Sequence, residues 1–239
     1  MIKPIINEVF PSTGILLRNK YIDSYRRAYF INKIYEAGVK NIEIGSFNKD
    51  QPLINGIHEI STNINSNIYK GGLIKKYPIH KGNINQIIFP MYTSNIENIR
   101  VKGLSIDQSI EEFNKHKKEA INKGIITKLV LDGSIETNFP YIYNNTQPDI
   151  VEVSSINNII LKYVDDVNRI SIRPCSLEEV DKAYYERIYM YSSSILNCDK
   201  HIETIKLIKH LQAKLGIELP VSITMLSEVQ KEIIDEFNW

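Results

Sequence analysis

The sequence has few cysteines, little net charge and no long apolar run, and each shortage excludes a class of protein. Only Cys175 and Cys198 occur, in a spacing that fits neither a disulfide framework nor a metal site, so we expect a reducing compartment. No stretch of about 18 apolar residues is present, and nothing therefore predicts a membrane span. The formal net charge of +1 gives no electrostatic preference for nucleic acid or an anionic membrane.

What is present is typical of a soluble globular protein. Hydrophobic residues make up 43% of the 239 residues and charged residues 24%, which allows a sizeable core. Glu8 lies where a signal peptide needs apolar residues, so we expect a cytoplasmic protein. Isoleucine, asparagine, lysine and tyrosine are abundant while alanine is scarce, a bias that indicates an AT-rich genome.

Apolar periodicity predicts strands that alternate with helices. Ser105 with Gln108 and Ser176 with Glu179 form two capping-box patterns, and each opens a predicted helix. The segment 133–147 is the longest irregular stretch and is predicted to be a loop. Predicted strands cover 5–10, 41–47, 68–74, 85–91, 127–131, 150–153, 169–172 and 189–196. Predicted helices cover 22–37, 53–62, 105–124, 158–167, 176–188, 200–215 and 227–237.

Eight strands mostly separated by helices predict one α/β domain over residues 1–239, a (β/α)8 barrel of the TIM type. The barrel is shortened, because only a brief connection without a helix separates the third and fourth predicted strands. A doubly wound open sheet is the alternative architecture.

Two early segments carry a family resemblance. The segment 6–14 contains Glu8-Val9 and Pro11, and the segment 31–47 contains Glu36-Ala37-Gly38 followed by Ile42-Glu43 and Ser46-Phe47. Both resemble HMG-CoA lyase and its barrel relatives, in which the first strand reads E-V-G-P-R-D-G. In that family a helix closing in E-A-G precedes a strand ending in I-E-x-x-S-F. The segment 104–113 is similar to the family's C-S-I-E-E-S helix start.

The chain departs from this family at the positions that the resemblance makes chemically important. The family's Arg, which stabilises the enolate, and its metal-binding Asp are replaced by Ser12 and Thr13. Arg173 and Cys175 stand where the family has the two metal-binding histidines of His-x-His. The glycine-rich lid has no counterpart around 192–199. Because a divalent ion needs several converging ligands, we expect no metal, no cofactor and no lyase chemistry.

We expect the remaining residues at the rim of the barrel to be vestiges of the family's active site without a catalytic role. Glu8 and Glu43 are predicted to point inward at the ends of the first two strands, where an unpaired carboxylate is costly. Arg173 enters the same rim from the seventh strand, and we hypothesise that it replaces the lost metal as a counter-charge to one of these carboxylates.

A tyrosine cluster is the candidate partner surface. Tyr184, Tyr185 and Tyr189 lie on and after one predicted helix, and Trp239 ends the chain. Packing of the helix on the barrel explains the tyrosines without a partner, whereas aromatic enrichment at interfaces favours a docking surface. We expect a protein partner, with a homo-oligomer as an alternative, and neither nucleic acid nor a membrane.

The sequence therefore predicts a catalytically inactive relative of the lyase barrel that serves as a structural or interaction subunit. A divergent, metal-independent carbon–carbon lyase or aldolase using Glu8, Glu43 and Arg173 on a carboxylate-bearing or acyl-CoA substrate is the alternative. A small-molecule sensor that kept binding but lost chemistry is a third hypothesis.

Overall fold

Eight parallel strands close into a barrel. The computed structural model describes residues 3–11, 22–46, 65–69, 84–196 and 200–238. Neighbouring strands pair in chain order, and β1 also pairs with β8, which completes the predicted (β/α)8 barrel. The strands are β1 (Ile5–Glu8), β2 (Asn41–Ser46), β3 (Asn65–Tyr69), β4 (Ile84–Tyr92), β5 (Ile126–Asp132), β6 (Ile150–Val153), β7 (Ile170–Ile172) and β8 (Met190–Ser193).

Eight described helices connect or follow these strands. None of the described helices is long and apolar enough to cross a membrane. They are α1 (Ser24–Glu36), α2 (Asn95–Lys102), α3 (Ile106–Asn122), α4 (Ile135–Thr146), α5 (Asn158–Tyr163), α6 (Leu177–Tyr185), α7 (Thr204–Ala213) and α8 (Ile223–Phe237).

Both predicted capping boxes are confirmed. The Gln108 backbone N–H donates to Ser105 Oγ over 3.2 Å, and the Ser105 N–H donates to Gln108 Oε1 over 2.9 Å. Ser176 and Glu179 exchange the same pair of bonds at the start of α6. These bonds satisfy backbone donors that the first helical turn leaves open, so both helices begin where the sequence predicts.

The core lies between the barrel and its helices. The α3 stripe Ile106, Ile110, Phe113 and Ala120 is buried, as its helical spacing predicts. On the sheet side, five consecutive residues of β5 are buried, a pattern typical of a strand covered on both faces. Burial on both faces means that hydrophobicity alone does not distinguish barrel-facing from helix-facing residues.

Gly38 holds the C-terminal helix close to the barrel. Its φ is +107°, and a Cβ built there would lie 2.1 Å from the carbonyl oxygen of Pro220. The adjacent Ala37 carbonyl accepts a 2.7 Å hydrogen bond from the Ser222 N–H, which directly precedes α8. The glycine of the E-A-G pattern is thus required by a backbone approach as well as by its φ.

The predicted loop 133–147 is wrong, because most of it forms α4. Phe139, Ile142 and Tyr143 are buried at helical spacing, while Pro140 and the asparagines around them obscure the pattern.

α2 is absent from the sequence prediction, although Ser94 caps it and Gly103 ends it in the left-handed conformation. The predicted helix 53–62 and the connection between β3 and β4 lie outside the described residues.

Candidate functional site

A polar network fills the interior of the barrel. Lys128 of β5 is 2% exposed, and its Nζ lies 3.2 Å from the hydroxyl oxygen of Ser192 on β8. Because β5 and β8 are not neighbours in the sheet, this contact crosses the barrel interior. The side chains that face it therefore belong to the inner surface of the barrel, where the ends of parallel strands place ligand sites in this fold.

Lys128 forms a buried ion pair with Glu152 of β6, which is also 2% exposed. Oε2 of Glu152 accepts hydrogen bonds from Ser192 and, over 3.2 Å, from Ser171 Oγ. Burial alone raises the pKa of Glu152, but the charges of Lys128 and Arg173 and these hydrogen bonds outweigh it and lower the pKa to about 2. The carboxylate is therefore ionised and compensated by cations.

Asn7 connects Glu43 to this network. Its side-chain amide donates to Glu43 Oε1 over 3.3 Å and to Ser192 Oγ over 3.2 Å. Glu43, on β2, is buried, as the sequence predicts for a carboxylate inside the barrel. The network thus extends from β2 through β1 to β8.

The second interior cation is Arg173, which follows β7 and is 7% exposed. Its guanidinium pairs with Asp132 at the end of β5, and its backbone N–H donates to the Val153 carbonyl over 2.9 Å. The side chain therefore points across the end of β6, and its counter-charge includes Asp132, which sequence reasoning left out.

His201 lies beside these groups at the mouth of the barrel. The Ile202 N–H donates to the Pro174 carbonyl and the Ser194 N–H donates to the Ile202 carbonyl, so this segment runs between the ends of β7 and β8. Burial, followed by the positive charge of Arg173, lowers the pKa of His201 to about 3. The imidazole is therefore neutral at physiological pH.

Glu8 lies on the opposite face of β1 from Asn7, because successive side chains of a strand alternate. Its Oε1 accepts hydrogen bonds from the Phe10 and Ile195 N–H groups, each over 2.9 Å, and its Oε2 accepts from Thr204 Oγ1 over 2.5 Å. Burial raises the pKa of Glu8 to about 7. Glu8 thus joins β1 to the start of α7 and does not face the barrel interior, so the prediction that it points inward is wrong.

The structure brings together only some of the predicted rim residues. Glu43 and Arg173 are buried at the barrel interior, whereas Cys175 is exposed and its N–H donates to Glu179 Oε2 over 2.6 Å. Ser12 and Thr13 lie outside the described residues.

Sequence reasoning missed Lys128, Glu152, Asp132 and His201. A signal was present, because Lys128 and Glu152 interrupt the apolar strands Thr127–Leu131 and Ile150–Val153. Charges inside strands buried on both faces are expected to be paired.

The predicted tyrosine surface combines packing with exposure. Tyr184 packs partly against the core, and its ring lies 6.1 Å from that of Tyr185 and 5.9 Å from that of Tyr189 in edge-to-face geometry. Tyr185 is 75% exposed. Trp239 lies outside the described residues.

The described interior does not fit a divalent ion. Within residues 3–11, 22–46, 65–69, 84–196 and 200–238, no group of three or more His, Cys, Asp or Glu side chains is placed to hold one. The interior instead carries the fixed positive charges of Lys128 and Arg173, each already paired with a carboxylate. The two cations therefore occupy the carboxylate oxygens that a dication would need as ligands.

Solved HMG-CoA lyases share this fold. The enzyme of Bacillus subtilis is 16% identical, with a TM-score of 0.81 over 99% of this chain and 94% of that chain. The Brucella melitensis enzyme is 12% identical, with a TM-score of 0.79 over 98% and 99%. An Acinetobacter baumannii lyase, in complex with coenzyme A and 3-methylmalate, is 15% identical, with a TM-score of 0.76 over 98% and 90%.

No protein-family model matches the chain, and no curated protein matches its sequence at a significant level. The similarity to the solved lyase structures shows that the chain has an HMG-CoA lyase-like barrel fold, as the early sequence segments predict.

Proposed function

We propose that this protein is a catalytically inactive relative of the metal-dependent HMG-CoA lyase-type barrels and serves as a structural or interaction subunit of a larger assembly. The observation that carries this proposal is the content of the barrel interior. Two buried cations are paired with carboxylates, Lys128 with Glu152 inside the barrel and Arg173 with Asp132 at the carboxyl end of β5, where this fold places its ligands. A substrate would have to displace Asp132 from Arg173 to bind there, and the Lys128–Glu152 pair occupies the space below.

The loss of chemistry follows from the same charges. Cleavage of a carbon–carbon bond beside a carbonyl group develops an enolate, whose electrostatic stabilisation is the largest catalytic contribution in such sites. Among the described residues, the interior guanidinium of Arg173 is already paired with Asp132, and the neighbouring His201 is buried and uncharged. Neither group therefore offers an unused positive charge to a developing oxyanion.

The interaction role is supported by the outer surface of α6. Tyr185 is 75% exposed, while its neighbour Tyr184 is partly buried and packs against the core. An aromatic ring that packs beside a fixed neighbour loses little conformational entropy when a partner covers it. For this reason tyrosine is favoured in interfaces.

Activity measurements test the loss of chemistry. We expect no acetyl-CoA release above the buffer rate from HMG-CoA or related acyl-CoA thioesters, with or without Mg²⁺ or Mn²⁺. Turnover that is abolished by Glu43→Gln, and retained by the surface variant Glu178→Gln, would overturn the proposal.

Partner binding is tested separately by comparing Tyr185→Ala with the intact chain in the native assembly, where we expect weakened association.

The second candidate is a metal-independent carbon–carbon lyase or aldolase acting on a carboxylate-bearing or acyl-CoA substrate. It is favoured by one observation, the burial of both Glu43 and Arg173 at the barrel interior. In that case a carboxylate substrate displaces Asp132 from Arg173. Turnover that persists in a metal chelator and is lost in Arg173→Met supports this candidate against the first.

A further inference from the structure

We propose that Lys128 and Arg173 are resident cations of the barrel interior, so that Glu152 and Asp132 are neutralised by the protein's own side chains and the barrel takes up no divalent ion. This inference deepens the proposed inactive function, because it names what replaces a metal in this barrel. It also makes a claim about stability and metal content that is independent of turnover.

The first argument is that the Glu152 carboxylate already has a counter-charge and hydrogen-bond donors. An ionised carboxylate removed from water is very unfavourable unless it is paired and hydrogen-bonded. Glu152 meets both conditions, since Lys128 supplies the charge and the hydroxyls of Ser171 and Ser192 supply further hydrogen bonds. The Lys128 ammonium itself also contacts Ser192 Oγ. No additional cation is needed to compensate this carboxylate.

The second argument is the set of charges that face Glu152 from the surrounding elements. Lys128 comes from β5 and Arg173 from the end of β7, and the charges of both favour the ionised form of Glu152. His201, from the segment before α7, is neutral because burial and the same two cations disfavour its charged form. A divalent ion would have to displace Lys128 from Glu152, and the described interior offers no group of three or more carboxylate, imidazole or thiolate side chains to hold it there.

The first experiment measures metal in the intact protein. We expect no stoichiometric Mg²⁺, Mn²⁺ or Zn²⁺ by elemental analysis after dialysis against each ion. We also expect the same melting temperature in millimolar Mn²⁺ as in chelator. One bound ion per chain, or a melting temperature that rises with Mn²⁺, overturns the inference.

The second experiment removes the cation and keeps the side-chain volume. Lys128→Met leaves Glu152 without its nearest positive charge, so we expect the melting temperature at neutral pH to fall by roughly 10 °C. Loss of the ammonium raises the pKa of Glu152, and part of this fall should therefore be recovered between pH 7 and pH 5. Lys123→Met, at a half-exposed pair with Glu119, is the matched control and should change little.

A double variant keeps the inference falsifiable if Lys128→Met does not fold. Lys128→Met combined with Glu152→Gln removes both charges, so it should melt well above the single variant and show no recovery in acid. A double variant as unstable as the single one overturns the role of Lys128 as the counter-charge. Metal uptake without turnover would overturn this inference alone, whereas turnover without metal would overturn only the proposed function.

Discussion

Substituting Glu8 by glutamine should remove the contribution of this carboxyl to the pH dependence of stability between about pH 4.5 and pH 7. Oε1 of Glu8 accepts two backbone N–H bonds, and Oε2 contacts Thr204 Oγ1, which lies 2.8 Å from Ser193 Oγ. A glutamine fits the same site, because its carbonyl oxygen takes the two N–H bonds and its amide donates to Thr204. The two hydroxyls can reverse their direction to accept this bond.

The magnitude follows from the pKa of Glu8. Burial raises it from 4.5 to about 7, so the folded protein holds a proton that the unfolded chain has lost in this window. The contribution of Glu8 to the free energy of unfolding therefore falls as pH rises from about 4.5 to about 7. A shift of this size corresponds to at most about 3 kcal/mol. Glu8→Gln carries no titrating group and should not show this fall.

Urea unfolding at intervals between pH 4.5 and pH 8 measures the difference between the two proteins. The free energy of unfolding of the variant, relative to that of the native chain, should increase as pH rises. At pH 8 the variant should be the more stable protein. Glu232→Gln is the control, because hydrogen bonds and the Lys33 charge outweigh burial and lower the pKa of that partly exposed carboxyl, so the difference should stay flat above pH 5. A difference between Glu8→Gln and the native chain that stays flat, or that falls as pH rises, refutes the reasoning.

Two further pairs of substitutions test the fold. Gly38→Ala should cost about 3 kcal/mol in urea unfolding, because its Cβ meets the Pro220 backbone, whereas Gly124→Ala should cost only about 1 kcal/mol since open space surrounds it. Equal costs would contradict the close approach at Gly38. Asn98→Ala should cost about 3 kcal/mol, because four hydrogen bonds at the start of α2 and α3 are lost. The exposed Asn114→Ala, which loses one bond, should cost less than about 1 kcal/mol, and a larger loss there would contradict this ranking.

The fold could be predicted where local chemistry decides it. The strand 150–153 is observed with its predicted bounds, because a short apolar run follows Pro148-Asp149 and precedes two serines. The helices that begin after Ser105 and Ser176 were predicted for the same kind of reason, a side chain that caps the first turn. α4 was missed because Pro140 and its polar neighbours outweighed three buried residues at helical spacing.

The site was predicted less well because its geometry is not local. Asn7 and Glu8 are adjacent in sequence, yet one faces the barrel interior and the other the start of α7. Strands covered on both faces give no apolar alternation that would distinguish these two positions. The partners of Lys128 and Arg173 depend on which strands lie across the barrel, which becomes known only when the barrel closes.

The physics of buried ion pairs explains why a barrel without lyase chemistry would retain a charged interior. Replacing both members of such a pair by apolar residues is often neutral or stabilising, but removing one member leaves a buried charge uncompensated and costs about 3–5 kcal/mol. That cost is a large fraction of the stability of an ordinary domain. The pairs Lys128–Glu152 and Arg173–Asp132 can therefore be lost only if both partners change together. The polar interior of this barrel is consequently explained by the stability that is lost when one partner of a pair is removed. It does not by itself indicate that substrate binds there.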